Sequence, residues 1–505
     1  MARMLAYTKE SDYKGDLIAL TAGILLPFAF APFELFFIAL LSPGLLLFSC
    51  INVSPLRAFC RGGLFGLGLF GVGVSWVYVS LHIYGEANEP LAAGITALLI
   101  FIMLLFPACM SYVLVKFFSK NILSKFLVAF PSLWALFEWI RTWFLTGFPW
   151  LLLGNSQIDT PLAGFAPIAS VYAVSWVTAF ISALLMVIII ERKNYRLLLS
   201  FLSVIVIGGT ITSKLWDRPW THIAGEPITV SLIQGNIPQS IKWRQDQAEK
   251  SLLLYQTLTS QNLKSQLIVW PEAAITFPQN RIQGFLNSLD QQLKANGVTL
   301  ITGIPAVEDN QYHNAMIALG KGEGSYYKRH LVPFGEYIPF RSWLNWLDGY
   351  LQIPMSDFKA GKKYQALITA GNIPIVSSIC YEIAYPTSVL KDLPEGQLLV
   401  TVSDDSWFGK SLAPAQHFQM ARMRALETGR YVLMATNDGI TGIINPLGKI
   451  QSQAEPFKTV VLTGQVYPYG GRTPWMYTSI YPLLLLLLIL LGVAWREQRK
   501  FKVDL

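Results

Sequence analysis

Apolar residues in this chain are bunched rather than spread. Runs free of Asp, Glu, Lys and Arg cover residues 17–33, 35–56, 62–85, 90–115, 161–190 and 197–213. Another begins near Thr473 and is densest over 481–494, around six consecutive leucines. A helix needs about 20 mostly apolar residues to cross a bilayer. A weaker candidate, 126–145, carries Glu138 and Arg141; three apart on a helix, the two share a face and can pair. The pattern predicts eight spans, seven before a polar segment at 214–472 and one after it. Nothing resembling a small-residue cleavage site precedes the second run, so the first is expected to be a retained span, not a signal peptide.

The polar segment has a different rhythm. Residues 227–234 alternate like a half-buried strand. Strand-like runs follow at 266–270, 298–304, 315–319, 325–328, 373–379, 397–402, 431–436, 439–444 and 460–466. Residues 245–263, 281–295 and 416–430 suit helices. Strands alternate with helices early and cluster late, which predicts a layered α/β domain.

Composition agrees with a chain partly in lipid. Of its 505 residues 53% are hydrophobic and 14% charged, against about 25% charged in soluble proteins; the mean hydropathy is +0.42. Charge then predicts orientation. Eight spans put both termini on one side, with Arg3, Lys9, Lys14, Arg57, Arg61, Lys116, Lys120, Lys125, Arg192, Lys193, Arg196, Arg496, Arg499, Lys500 and Lys502. The opposite short loops hold Arg141 with Glu34, Glu86, Glu89 and Asp159. The positive-inside rule makes the first side cytoplasmic and the polar segment external. The net charge of +8 is no sign of nucleic acid, because the polar segment carries 23 basic and 20 acidic residues without a basic stripe. Juxtamembrane Lys and Arg meeting anionic membrane lipid is the simpler expectation.

Four cysteines occur, Cys50, Cys60, Cys109 and Cys380, and only Cys380 lies in the polar segment. It follows an apolar run and is followed by Tyr381-Glu382. A lone thiol at a strand end reads as a nucleophile or as a buried core cysteine. Glu272, after Leu267-Ile-Val-Trp-Pro271, and Lys328, after Gly324-Ser-Tyr-Tyr327, also stand at predicted strand ends. Side chains from distant sequence converge at strand ends in layered α/β folds. Taken singly, Glu272 and Lys328 read as solvated charges, as strand-end Glu and Lys usually are. Taken together, they offer a base for the thiol proton and a cation for thiolate and oxyanion.

Longer motifs favour the joint reading. Trp270-Pro-Glu272, Tyr327-Lys-Arg-His-Leu-Val-Pro-Phe-Gly-Glu336 and Cys380-Tyr-Glu382 resemble the Glu–Lys–Cys triad of the nitrilase superfamily. Gln234-Gly-Asn-Ile-Pro-Gln-Ser-Ile-Lys-Trp243, His330-Leu-Val-Pro-Phe-Gly-Glu-Tyr-Ile-Pro339, Ser403-Asp-Asp-Ser-Trp-Phe-Gly409, Gln419-Met-Ala-Arg-Met-Arg-Ala-Leu-Glu427 and Thr146-Gly-Phe-Pro-Trp150 extend the match over nearly the whole chain. It resembles the membrane-bound apolipoprotein N-acyltransferase family of that superfamily.

The resemblance implies a membrane domain at 1–213, an extracytoplasmic nitrilase-like α-β-β-α sandwich at 214–472, and a last helix with a basic tail at 473–505. It implies a bacterial inner-membrane enzyme that takes an acyl chain from phospholipid onto Cys380. The chain then passes to the N-terminal amine of a diacylglyceryl-apolipoprotein. Glu272 would be the base and Lys328 the thiolate and oxyanion stabiliser. Trp243, Glu336, Tyr381 and Glu382 would support the site, with no cofactor. Where the family more often has Asn-Asp-Ala before Trp-Phe-Gly, this chain has Asp404-Asp405-Ser406, so no helper role carries over to Asp404. Asn437-Asp-Gly439 also departs from the family and is expected to shape a turn.

Other readings stay in view. Glu336 lies in a Pro- and Gly-rich loop and could orient Lys328. Trp243, Phe334 and Met355 suit an acyl pocket or lid as well as plain packing. Phe30, Phe33, Phe36 and Phe37 suit an interfacial aromatic belt. His313 and His330 stand apart from other metal-ligand residues, so no metal is expected. A membrane-tethered amidase would use the same triad with water as acceptor. A transporter or receptor would need more buried charge in its spans than Glu138 and Arg141.

Overall fold

The computed structural model describes residues 13–118, 121–191, 195–337 and 357–503. Arg3, Lys9, Lys120, Arg192, Lys193, Met355 and the Ile338-Pro339 end of one motif lie outside them, as do the side chains of Arg196, Arg499, Lys500 and Lys502. The chain forms two compact units. One comprises Met1–Trp76, Ala93–Arg218 and Tyr477–Leu505; the other comprises Val77–Ala92 and Pro219–Met476.

The first unit is helical. Among the described residues, five helices are long and apolar enough to cross a membrane: Glu89–Phe117, Ile122–Arg141, Pro161–Ile190, Leu199–Trp216 and Tyr481–Gln498. A sixth arises if Pro55–Gly73 and Trp76–Tyr84, bent by 46°, count together. The first two apolar runs differ from the expectation of full-length helices. They form Tyr13–Leu25 with a short 3₁₀ extension at Leu26–Ala29, and Phe37–Ser49. Pro27 and Pro32 interrupt the first run, because proline supplies no backbone N–H to continue a helix. The helices approach closely through small residues. A Cβ on Gly23 would collide with the Phe65 carbonyl, and one on Gly68 with the Ile24 amide, a mode of packing that suits lipid, where close van der Waals contact drives association.

Charges in this unit are more buried than a lipid-facing reading implies. Arg61 is fully buried, pairs with Asp16 and donates to the Ser49 carbonyl. Lys125 is buried and donates to the Cys50 carbonyl at 3.2 Å. Neither is a solvated headgroup contact. Glu138 and Arg141 grip one loop: Glu138 accepts from the Leu153 amide (2.8 Å) and the Trp134 indole (3.0 Å), while Arg141 donates to the Phe148 and Trp150 carbonyls (2.9 and 2.6 Å). The Gly-Phe-Pro-Trp stretch is thus a loop whose backbone groups are satisfied by these two buried charges.

The second unit contains two six-stranded sheets. Their strands are β2 (Ile228–Gln234), β3 (Leu267–Val269), β4 (Thr299–Glu308), β5 (Gln311–Gly320), β6 (Ser325–Tyr327), β7 (Ile368–Ala370), β8 (Ile373–Ile379), β9 (Leu398–Ser403), β10 (Val432–Thr436), β11 (Gly442–Ile444), β12 (Ile450–Gln453) and β13 (Val460–Val466). One sheet has the order β13-β2-β3-β4-β5-β6 and the other β12-β11-β10-β9-β8-β7. A small ribbon pairs β1 (His222–Ile223) with β14 (Tyr469–Gly470). Helices Gln245–Ser260 and Gln283–Ala295 cover the first sheet through Leu252, Tyr255, Leu286, Leu289 and Leu293. Helix Ala413–Thr428 covers the second through Phe418, Ala421 and Ala425. The layers are therefore α-β-β-α, as the resemblance implies.

Both sheets have a parallel centre, β2-β3-β4 in one and β8-β9-β10 in the other. Carboxyl ends of parallel strands are where such folds place their sites. Glu272 follows β3, and Cys380 and Asp404 follow the neighbouring strands β8 and β9.

Candidate active site

Pro271 ends β3 and brings Glu272 over Gly303, where any Cβ would strike the Glu272 backbone. Trp270 anchors the turn, stacking on Tyr255 at 5.0 Å and donating to Thr259 at 2.9 Å. Lys328 leaves β6 and donates its backbone N–H to the Asn314 carbonyl. Cys380 leaves β8 into a 3₁₀ turn, Cys380–Ala384, with φ of +52°. A non-glycine residue in that region needs support from its surroundings.

Support comes from Glu382, which is fully buried. Its carboxylate accepts from the Ile379, Arg329 and His330 amides at 2.9, 2.7 and 3.0 Å, and from the Tyr326 hydroxyl at 2.9–3.0 Å. One carboxylate thus ties the Cys380 turn to the Lys328 segment. Burial raises its pKa despite these donors and the nearby Lys328 charge, and burial also lifts the Tyr326 phenol well above its usual value, helped by Glu382. Arg329 locks the same segment by a two-pronged pair to Asp392 at 2.8–2.9 Å.

Lys328 is only 1% exposed, so its charge requires partners within the protein. Its Nζ lies 3.4 Å from Glu272 Oε1 and 2.9 Å from Glu336 Oε2. Burial alone would lower its pKa; Glu272, Glu336 and Cys380 more than reverse that, so Lys328 stays cationic. Glu336 is no surface acid. It also accepts from the Val332 amide at 2.9 Å. Burial would raise Glu272, yet Lys328, the Asn314 amide and the Asp404 backbone N–H together hold it below the ordinary carboxylate range. The Cys380 thiol is pushed well above its usual value by burial and the Glu272 charge, only partly opposed by Lys328. The resting set is therefore carboxylate, ammonium and protonated thiol.

Asn314 and Lys242 escape a reading of the sequence, and Asp404 and Asn437 do more than it gives them. Asn314 donates from Nδ2 to Glu272 Oε1 and Glu336 Oε1, both at 2.7 Å, spacing the two carboxylates around Lys328. Lys242 donates to the Glu272 carbonyl (3.2 Å) and pairs with Asp404 (2.6 Å). Asp404 in turn gives its backbone N–H to Glu272 Oε2 at 2.9 Å and accepts from Ser406 at 2.8 Å. The departure at Asp404 is thus matched by a buried lysine, the next-door neighbour of Trp243. Asn437 does more than turn the chain: its side chain bonds both the Ile237 amide and carbonyl, and Ser406. Burial and Asp404 push the adjacent Asp438 up to about 7.

Of the other expected residues, Trp243 lines a cavity of about 370 Å³ with Thr276, Pro278, Pro305, Tyr312, Asp357 and Phe358. Tyr381 is buried against Tyr385 and His330 at 5.1 and 5.9 Å. His330 stacks on Tyr385 at 3.9 Å, and His313 lies 4.9 Å from Tyr327.

A double-sheet sandwich with Glu272, Lys328 and Cys380 at converging strand ends defines a domain of the carbon–nitrogen hydrolase type, and residues 229–470 match the family described as carbon-nitrogen hydrolase. Residues 22–184 match the apolipoprotein N-acyltransferase N-terminal domain. The chain is 44% identical over 491 residues to the apolipoprotein N-acyltransferase of Methylococcus capsulatus, covering 96% of this chain and 97% of that one. It is 44% identical to that of Coxiella burnetii (94% and 99% covered) and 39% to that of Pseudomonas syringae pv. tomato (97% and 98%). The chain belongs to the apolipoprotein N-acyltransferase family and is an acyltransferase.

Proposed function

We propose that this enzyme moves an acyl chain from a phospholipid to the N-terminal amine of a diacylglyceryl-apolipoprotein by way of a Cys380 thioester. The observation that carries the reading is the buried Lys328 ammonium held between Glu272 and Glu336, electrostatically coupled to the Cys380 thiol. In the first half-reaction Sγ attacks the ester carbonyl as Glu272 takes the thiol proton, and Lys328 faces the oxyanion. Because the thiol is raised and Glu272 lowered, a standing thiolate is disfavoured, so proton transfer accompanies attack. The intermediate expels the lysophospholipid alkoxide, which recovers that proton from Glu272. In the second, a neutral α-amine attacks the thioester, Glu272 takes its proton, and the departing thiolate is reprotonated. An α-amino group with a pKa of about 7.7–8.0 is partly neutral at physiological pH.

Trp243 and Tyr381 are assigned to substrate contact, Glu336 to holding Lys328, and Glu382 to holding the turn. The membrane arrangement we propose has eight crossings, with both termini cytoplasmic. The segment 214–472 is outside, between 1–213 and 473–505, in a bacterial inner membrane. The apolar helices and the one-sided distribution of Lys and Arg support it. Lipid-anchored donor and acceptor then reach a catalytic domain tethered at the outer face.

The discriminating experiment supplies labelled phospholipid with a diacylglyceryl-peptide bearing a free N-terminal amine. Transfer to the amine, with ping-pong kinetics, is expected. Release of free fatty acid with no acylated peptide would identify a membrane-tethered amidase-type hydrolase instead.

A further inference from the structure

Helix Ala413–Thr428 carries a buried histidine that the mechanism above does not use. His417 is 1% exposed. Its Nε2 lies 3.1 Å from the Cys380 carbonyl oxygen, and its Nδ1 lies 3.1 Å from Asp405 Oδ1. A carbonyl oxygen has no proton to give, so Nε2 carries one and donates it, while Nδ1 is held by Asp405.

Asp405 is itself fixed: its Oδ1 accepts a second hydrogen bond, from Ser403 at 2.7 Å. Phe408 presents an apolar edge to the imidazole, 6.4 Å away.

We infer that His417 is a positioning residue: held by Asp405, its Nε2–H donates to the Cys380 carbonyl and fixes the left-handed turn on which the thiol stands. This rests on Cys380 being the nucleophile. That bond would keep the thiol aimed identically for two different reactions, attack on an ester and release to an amine. Glu382 ties the turn down from the side chain of its third residue; His417 ties it from the carbonyl of its first.

The test has two parts. The chain contains five histidines, so ¹⁵N-histidine labelling gives few signals, and His417 is assigned by its loss in His417→Gln. Nε2 of His417 is expected to carry the proton at pH 7.5, in wild type and equally in Cys380→Ser, where no acyl transfer to sulfur is possible. An unprotonated Nε2 would overturn the inference, whatever the identity of the nucleophile. The second part compares amides. Gln at 417 offers a donor near the Nε2 position, toward Cys380, and Asn offers one near Nδ1, toward Asp405. Single-turnover acylation by phospholipid is expected to fall about 10- to 100-fold in His417→Asn, less in His417→Gln, with KM for phospholipid near wild type. Equal losses, or the opposite order, would mean that His417 serves only its contact with Asp405.

Discussion

Cys380 sits in an environment that disfavours its own charge. Burial and Glu272 both push the thiol up, and Lys328 only partly offsets them. A group raised in this way remains protonated below its shifted pKa and becomes nucleophilic only as pH rises through it. Alkylation of Cys380 by iodoacetamide without substrate should therefore still be climbing at pH 9, beyond the midpoint near 8.5 of an ordinary thiol. A plateau at or below pH 7 would show a standing thiolate and contradict the paired proton transfer. Replacing Glu272 by Gln or Lys328 by Met should cost about 10²–10⁴ in turnover, measured with the same labelled phospholipid. A loss below tenfold in either would remove that residue from the mechanism. At this scale Glu272, Lys328 and Cys380 were legible as candidates because each follows a strand inside a recognisable motif. Asn314 was not, because it lies mid-strand in β5 and acquires meaning only when β6 and the Glu336 loop are laid beside it. His417 and Lys242 were hidden for a similar reason: Lys242 lies inside a motif and His417 just ahead of one, and only the fold brings them to Asp405 and Asp404.

Among the elements, the turn Cys380–Ala384 is where the two halves of the site are joined. Glu382 accepts from three backbone amides and a hydroxyl on two segments. Glu382→Gln places an NH₂ group against one of those donors. It should destabilise the catalytic domain by about 2–5 kcal/mol, read as a lowered Tm in detergent. An unchanged Tm would mean the network is dispensable. The strands and helices of this domain were largely legible. β8 and β13 occupy the runs 373–379 and 460–466, and the helices begin and end within a few residues of their apolar pattern. β7 and β12 were missed, being short edge strands: β12 is mostly exposed and polar, with no buried face to imprint on the sequence. The first two apolar runs differ in the opposite sense: their helices, Tyr13–Leu25 and Phe37–Ser49, are shorter than the runs, and Pro27 and the loop around Pro32 end the first, which is backbone chemistry that a hydropathy count does not see.

For the whole molecule, a catalytic sandwich is inserted between apolar helices at 89–216 and 481–498. The proposed orientation has a direct consequence for Leu253, an exposed residue on the sandwich's outer helix. In a chain whose exposed Cys60 and Cys109 are replaced by serine, Leu253→Cys should react with a membrane-impermeant maleimide added to intact spheroplasts. Reaction only after permeabilisation would place the catalytic domain on the cytoplasmic side. The order of the strands was not legible from hydropathy, since pairing is decided by contacts between distant segments; the layered class was, because alternation and turn residues record it locally. In the reaction proposed above, the acyl chain leaves a bilayer lipid and rests on sulfur before reaching a second anchored substrate. The intact mass of the purified enzyme after incubation with phospholipid alone tests this most directly. Wild type should gain the mass of one acyl group, and Cys380→Ser and Cys380→Ala should gain no thioester-linked acyl group, the bond being released by neutral hydroxylamine. No adduct on wild type, or an undiminished one on Cys380→Ala, would contradict the thioester mechanism.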